Sequence, residues 1–202
     1  MTTLILIRHG ETDWNRDRRI QGATDIPLND TGRRQAHEAA LALRFRRDAG
    51  ERLAIVSSDL SRASETADII AGTLELDTPR RYAQLRERAY GEAEGMQIEE
   101  FARRWGSSYR GGVPGAEEPA ALRTRARKAL ATVVADLRRS SAPSRTTLIV
   151  VAHGGLIREI IGHATGDELP RPGERLANGS AHEVRYERER LTLLSYAPPV
   201  LV

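Results

Sequence analysis

The sequence predicts an α/β fold with a mostly parallel central sheet, helices on both faces and an antiparallel C-terminal strand pair. Three observations carry that prediction. Short aliphatic runs at Thr3–Ile7, Leu53–Ser57 and Thr146–Ala152 lack the polar alternation of a half-exposed strand and read as strands buried on both sides. Helical periodicities lie between them, and such alternation of strand with helix points to a parallel sheet. Ala181–Glu187 and Leu191–Tyr196 alternate in polarity about a turn at Arg188–Arg190, as paired antiparallel strands do.

The remaining elements follow in order. Asp30 or Thr31 caps a helix running to about Arg47, with Ala36, Ala39, Ala40 and Leu43 on one face. A second helix spans about Leu60 to Gly72. Residues 80–86 read as a weak edge strand, and Gln97–Trp105 as a short helix. Gly106–Pro119, rich in Gly, Pro and Ser, is a loop. It leads into a long helix, Ala120–Arg139, whose Leu122, Ala126, Ala129, Leu130, Val133, Val134 and Leu137 keep a helical period. Leu156–Ala164 is the last helix. The chain has 202 residues, no repeat and no shift of composition, so one domain over 1–202 is expected.

Composition excludes several classes. There are no cysteines, hence no disulfide, thiolate metal site or thiol nucleophile. The apolar runs fall far short of the ~20 residues of a membrane span. The N-terminus offers no apolar stretch and cleavage site of the signal-peptide kind, so a cytoplasmic location is expected. A pI of about 9.7 raises nucleic acid as a partner. The net charge is only +3, however, with 28 acids interleaved among the 31 basic residues, so no nucleic-acid role is expected.

Ligands of open α/β sheets bind at the carboxyl ends of the strands. Arg8-His9-Gly10-Glu11-Thr12 follows the first buried run, Ser57-Ser58-Asp59-Leu60-Ser61-Arg62 the second, and His153-Gly154-Gly155 the third. Two arginines and two imidazoles therefore meet at one edge. Guanidinium forks match phosphate oxygens and hold their charge at any ordinary pH, so this set suggests a phosphoryl site. A metal held by His9 and His153 with Glu11 or Asp13 is disfavoured, because the arginines would repel a divalent cation. His37 reads as a helix-face residue, His163 and His182 as structural or exposed, and Trp14 and Trp105 as core or rim packing.

These residues carry a resemblance. Leu6-Ile7-Arg8-His9-Gly10-Glu11-Thr12 resembles the R-H-G signature of the histidine phosphatase superfamily, the phosphoglycerate mutase-like proteins. Asp13-Trp14-Asn15, Gln21-Gly22, Pro27-Leu28 and Gly32 are similar to the stretches that follow it there. Ser57 to Ala63 with Thr66-Ala67 resembles the second arginine motif. Leu85-Arg86-Glu87 with Tyr90-Gly91 and Glu94-Gly95 resembles the acid motif, and Val151 to Gly155 the second histidine motif. Pro114-Gly115-Ala116-Glu117-Glu118 departs from the family's P-G-G-E-S, which leaves Glu117 and Glu118 without an assigned role.

The resemblance implies that His9 is the nucleophile, that Arg8, Arg62 and His153 hold the phosphoryl oxygens, and that Glu87 is the acid and then the base. It implies that Asn15, Gln21, Gly22, Tyr90 and Gly154 border the substrate, and that neither metal nor cofactor is needed. The expected partner is a small phosphorylated metabolite, with a homodimer allowed. A phosphatase is favoured over a cofactor-dependent mutase, since only 66 residues separate Glu87 from His153. In addition, Gly95-Met96-Gln97-Ile98 stands where mutases carry a basic Gly-Leu-Asn-Lys stretch. A non-catalytic regulatory protein on the same fold is the third reading.

Overall fold

The computed structural model describes residues 1–46, 52–106, 112–141 and 146–201. In chain order the elements are β1 (Thr2–Arg8), α1 (Asp13–Arg16), α2 (Asp30–Arg46), β2 (Arg52–Ser57), α3 (Ser61–Leu74), β3 (Arg80–Arg81), α4 (Ile98–Trp105) and α5 (Pro119–Ser141). Then come β4 (Thr146–Ala152), α6 (Gly154–Thr165), β5 (Glu174–Arg175), β6 (Ala181–Glu187), β7 (Arg190–Ser195) and β8 (Val200–Leu201).

The main sheet has the order β3-β2-β4-β1-β6-β7. From β3 to β1 it is parallel; β6 and β7 extend it antiparallel. Successive side chains on a strand point to opposite faces, and the aliphatic runs obey this residue by residue. Leu4, Leu6, Val56, Leu148 and Val150 pack toward α5 and α6. Ile5, Ile7, Ile55, Ile149 and Val151 pack toward α2 and α3. That is why these runs are apolar at every position rather than at every second one. The predicted face of α5 is the face it buries, with Leu130 fully enclosed; truncating such a leucine to alanine typically costs about 2–5 kcal/mol. A third cluster, of Ile20, Ala93, Phe101 and Val113, lies apart from both faces.

Boundaries shifted for local reasons. α6 starts at Gly154, two residues before the expected Leu156, because His153 is extended and serves as its N-cap. α5 starts at Pro119, whose missing N–H costs nothing in a first helical turn. The expected edge strand over 80–86 is a correction. Only Arg80–Arg81 pairs with β2, and both residues are exposed. Leu85 is the apolar anchor of the segment, and a 3₁₀ turn over Ala83–Leu85 drops it into the core beside α5. Arg47 and the middle of the Gly106–Pro119 loop lie outside the described residues. The C-terminal hairpin turns at Arg188 and Glu189, both at positive φ as two-residue hairpin loops require.

Candidate active site

Register explains how the site is assembled. Arg8 pairs with Ala152, and Ser57 pairs with Val151, so the three buried parallel strands end level with one another. The next residues stay coupled: His9 N–H donates to the Ala152 carbonyl and Ser58 N–H to that of Val151, each at 3.0 Å. His9 and His153 therefore stand side by side, both buried, with ring centroids 5.2 Å apart and planes tilted by 58°.

His9 Nδ1 lies 2.6 Å from the Gly10 carbonyl oxygen. A carbonyl only accepts, so Nδ1 carries the proton and the Nε2 lone pair is free. Burial pushes His9 well below the usual histidine range, and the charges of Arg62 and Arg8 push the same way. The Gly10 contact opposes them without prevailing. His153 is likewise lowered by burial, then by Arg62, His9 and Arg8. Both imidazoles are neutral near pH 7.

Arg62 arrives from the first turn of α3 and is fully enclosed. Its two Nη atoms donate to the carbonyls of Thr24 and Gly22 at 2.8 Å, which fixes the guanidinium and threads the 22–24 loop around it. Arg8 donates to the Leu176 carbonyl; burial lowers it to about 10, against the raising effect of Glu87. Arg8 Nε, Arg62 Nε, both ring nitrogens of His153 and Gln21 Oε1 are buried without a protein partner. Buried polar groups rarely go unpaired. The unpaired nitrogens of Arg8, Arg62 and His153, with the His9 imidazole beside them, fit an anion-binding pocket.

Glu87 sits on the N-terminus of α6. Its Oε2 accepts from Gly155 N–H at 2.9 Å, and its Oε1 from Leu156 N–H at 3.2 Å and Arg88 N–H at 2.8 Å. Helix N-termini favour such acceptors. The acid motif is thus joined to the second histidine motif, as the sequence resemblance requires of one site. Gly154 packs its α-carbon against Arg8, where a Cβ would lie 3.3 Å from Nε. Tyr90 lies under the Arg88 guanidinium, 5.0 Å from ring centroid to Cζ. Asn15 closes α1 in a reciprocal cap with Thr12. Gly22 is brought against Glu94, which accepts from Ala23 N–H, Thr24 N–H, the Thr24 hydroxyl and Tyr90 N–H.

Glu117 is committed elsewhere: both of its oxygens accept from Arg125, which also donates to the carbonyls of Gln84, Arg86 and Glu87. It builds the loop that carries Glu87. Glu118 is exposed. Sequence reasoning missed four supports: Arg125, Glu94, Thr66 and Asn178. Thr66, four residues after Arg62 on α3, accepts from Gly10 N–H and donates to the Arg62 carbonyl, tying the two motifs together. Its place in the quoted arginine motif was the available signal. Asn178 had none. His182 is structural, held by Ser180 and the Ala197 N–H; Trp105 packs on Phe101, and His37 is exposed on α2.

Comparison with known proteins agrees with this geometry. The family model of the histidine phosphatase superfamily (branch 1) matches residues 4–198. The uncharacterized phosphatase PhoE of Bacillus subtilis is 36% identical over 97% of this chain and 94% of its own length. Phosphoglycerate mutase-like protein 4 of Arabidopsis thaliana is 34% identical over 90% of this chain and 78% of its own. The structure of a mycobacterial glucosyl-3-phosphoglycerate phosphatase complexed with VO3 superposes with a TM-score of 0.80 at 28% identity, covering 97% of this chain and 99% of that one. With two arginines, two neutral histidines and a glutamate at one sheet edge, and with a family match across nearly its whole length, the chain belongs to branch 1 of the histidine phosphatase superfamily.

Proposed function

We propose that the protein hydrolyses the phosphate monoester of a small metabolite through a phosphohistidine at His9. The observation that carries this reading is the ring of unpaired buried nitrogens on Arg8, Arg62 and His153 around an imidazole whose Nε2 is free. His9 Nε2 attacks phosphorus in line as the bond to the leaving oxygen breaks. Arg8, Arg62 and His153 take the three non-bridging oxygens, whose charge is compensated in the transition state without a metal. Glu87 gives its proton to the leaving oxygen. It then takes one from the water that attacks the phosphohistidine, and inorganic phosphate is released. Oε2 has a single amide contact where Oε1 has two, and is the oxygen this reading assigns to the transfer.

Asn15, Gln21, Gly22, Tyr90 and Gly154 border the phosphoryl group or the leaving group in this reading. The VO3 complex of the mycobacterial phosphatase supports an oxyanion pocket on this fold. The short connection from Glu87 to His153 favours hydrolysis over mutase chemistry.

A labelled phosphomonoester followed by an acid or base quench tests the mechanism. The adduct should be acid-labile and base-stable, and absent from His9→Ala. An equally active His9→Ala protein would remove the mechanism. A panel of phosphorylated sugars, hydroxy acids and amino acids then identifies the leaving group.

A further inference from the structure

Asn178 stands in the turn before β6, 169 residues from His9. Its Nδ2 donates to the carbonyl oxygen of His9 at 3.0 Å and to the side-chain oxygen of Asn15 at 3.2 Å. The adjacent Gly179 N–H donates to the Arg8 carbonyl at 3.0 Å and the His9 carbonyl at 3.3 Å. This turn therefore grips the nucleophile's backbone from the antiparallel side of the sheet.

The partners fix which way each amide faces. A carbonyl oxygen only accepts, so Asn178 turns its NH2 group to His9. A backbone N–H only donates, so Asn15 turns its oxygen to Thr12 N, at 3.2 Å. Around that one oxygen stand Thr12 N, the Thr12 hydroxyl and Asn178 Nδ2. A hydroxyl can donate or accept and so does not choose between the two amide orientations. Only Thr12 N and Asn178 Nδ2 choose. With the oxygen engaged, Asn15 directs its NH2 group the other way, where it has no protein partner among the described residues.

We propose that Asn178 is a positioning residue that locks the Asn15 amide with its two N–H groups toward the phosphoryl group. The proposal rests on the phosphatase reading above. Without Asn178, one obligate donor remains to oppose an amide flip. A flipped Asn15 would set its oxygen against the phosphoryl oxygens, replacing attraction by repulsion. Sequence separation hides this pair completely.

A double-mutant cycle with orthovanadate as the probe tests it, read as dissociation constants by calorimetry on folded protein. Asn178→Ala should weaken binding about 10-fold, the scale of one hydrogen bond to a charged group. In an Asn15→Ala background the same change should cost no more than about 2-fold, because the amide it orients is gone. Equal losses in both backgrounds overturn the positioning role while leaving the phosphatase reading intact. Wild-type protein that binds no orthovanadate overturns the phosphatase reading, and the proposal with it. Should Asn178→Ala fail to fold, Asn178→Ser serves in the same cycle with the same expected coupling.

Discussion

At the scale of single residues, the electrostatics of three buried histidines set a pH dependence. Burial lowers His9 and His153 well below 6.5, and lowers His182 to about 4. In the unfolded chain each takes a proton near pH 6.5. Between about 4 and 6.5 the unfolded form thus binds more protons, and stability falls as pH drops through that window. His182 alone should account for a loss of about 2 kcal/mol between pH 7.5 and 5. Urea unfolding of wild type and His182→Gln at both pH values checks this: the variant should lose about 2 kcal/mol less on acidification, and identical losses would refute the assignment. The residues that stand at strand ends were legible in the sequence, because Arg8, His9 and His153 each adjoin an apolar run and Arg62 follows one closely. Asn178 and the reach of Arg125 to the Glu87 loop were not, since those contacts span 169 and 38 residues of chain.

At the scale of elements, α6 does more than bury Leu156 and Ile160. Its first turn holds the Glu87 carboxylate, and it does so because residue 155 has no side chain: a Cβ there would lie 2.6 Å from Glu87 Oε1. The carboxylate is the end of a flexible side chain, so it would move rather than the helix. Gly155→Ala should therefore keep or raise the melting temperature, alanine being the better helix former by about 0.5–1 kcal/mol. On the proposed mechanism it should also cut turnover of alkyl phosphates at least about 10-fold, by displacing the carboxyl group proposed as the acid. Aryl phosphates, whose leaving groups need less protonation, should lose less in the burst step; equal losses for both would assign α6 a purely structural part. Helices with long apolar stripes, α5 above all, were readable from periodicity. The expected edge strand over 80–86 stops at Arg81, because a 3₁₀ turn carries Leu85 into the core beside α5, a tertiary contact that no local pattern marks.

At the scale of the molecule, the sheet gathers its chemistry from adjacent strands β2, β4 and β1, and arginine supplies the positive charge there. Among the described residues no cluster of His, Asp and Glu is arranged to hold a metal ion. Activity should survive exhaustive chelation and gain nothing from added Mg²⁺; loss on chelation with recovery on adding a divalent ion would contradict the arginine pocket. The strand order itself was only partly legible. Parallel pairing followed from the alternation of elements, whereas the insertion of β4 between β1 and β2 leaves no mark on either strand's composition. That insertion has a consequence in time. β1 has two neighbours, and its residue Leu4 pairs with Leu148 on one side and Val184 on the other. A ribosome adding about 5–20 residues per second reaches Val184 roughly 10–40 s after Leu4. Of the strands of the main sheet, β1 thus waits longest between its own synthesis and the arrival of its second neighbour, an aliphatic stretch with an edge open to mispairing throughout that interval.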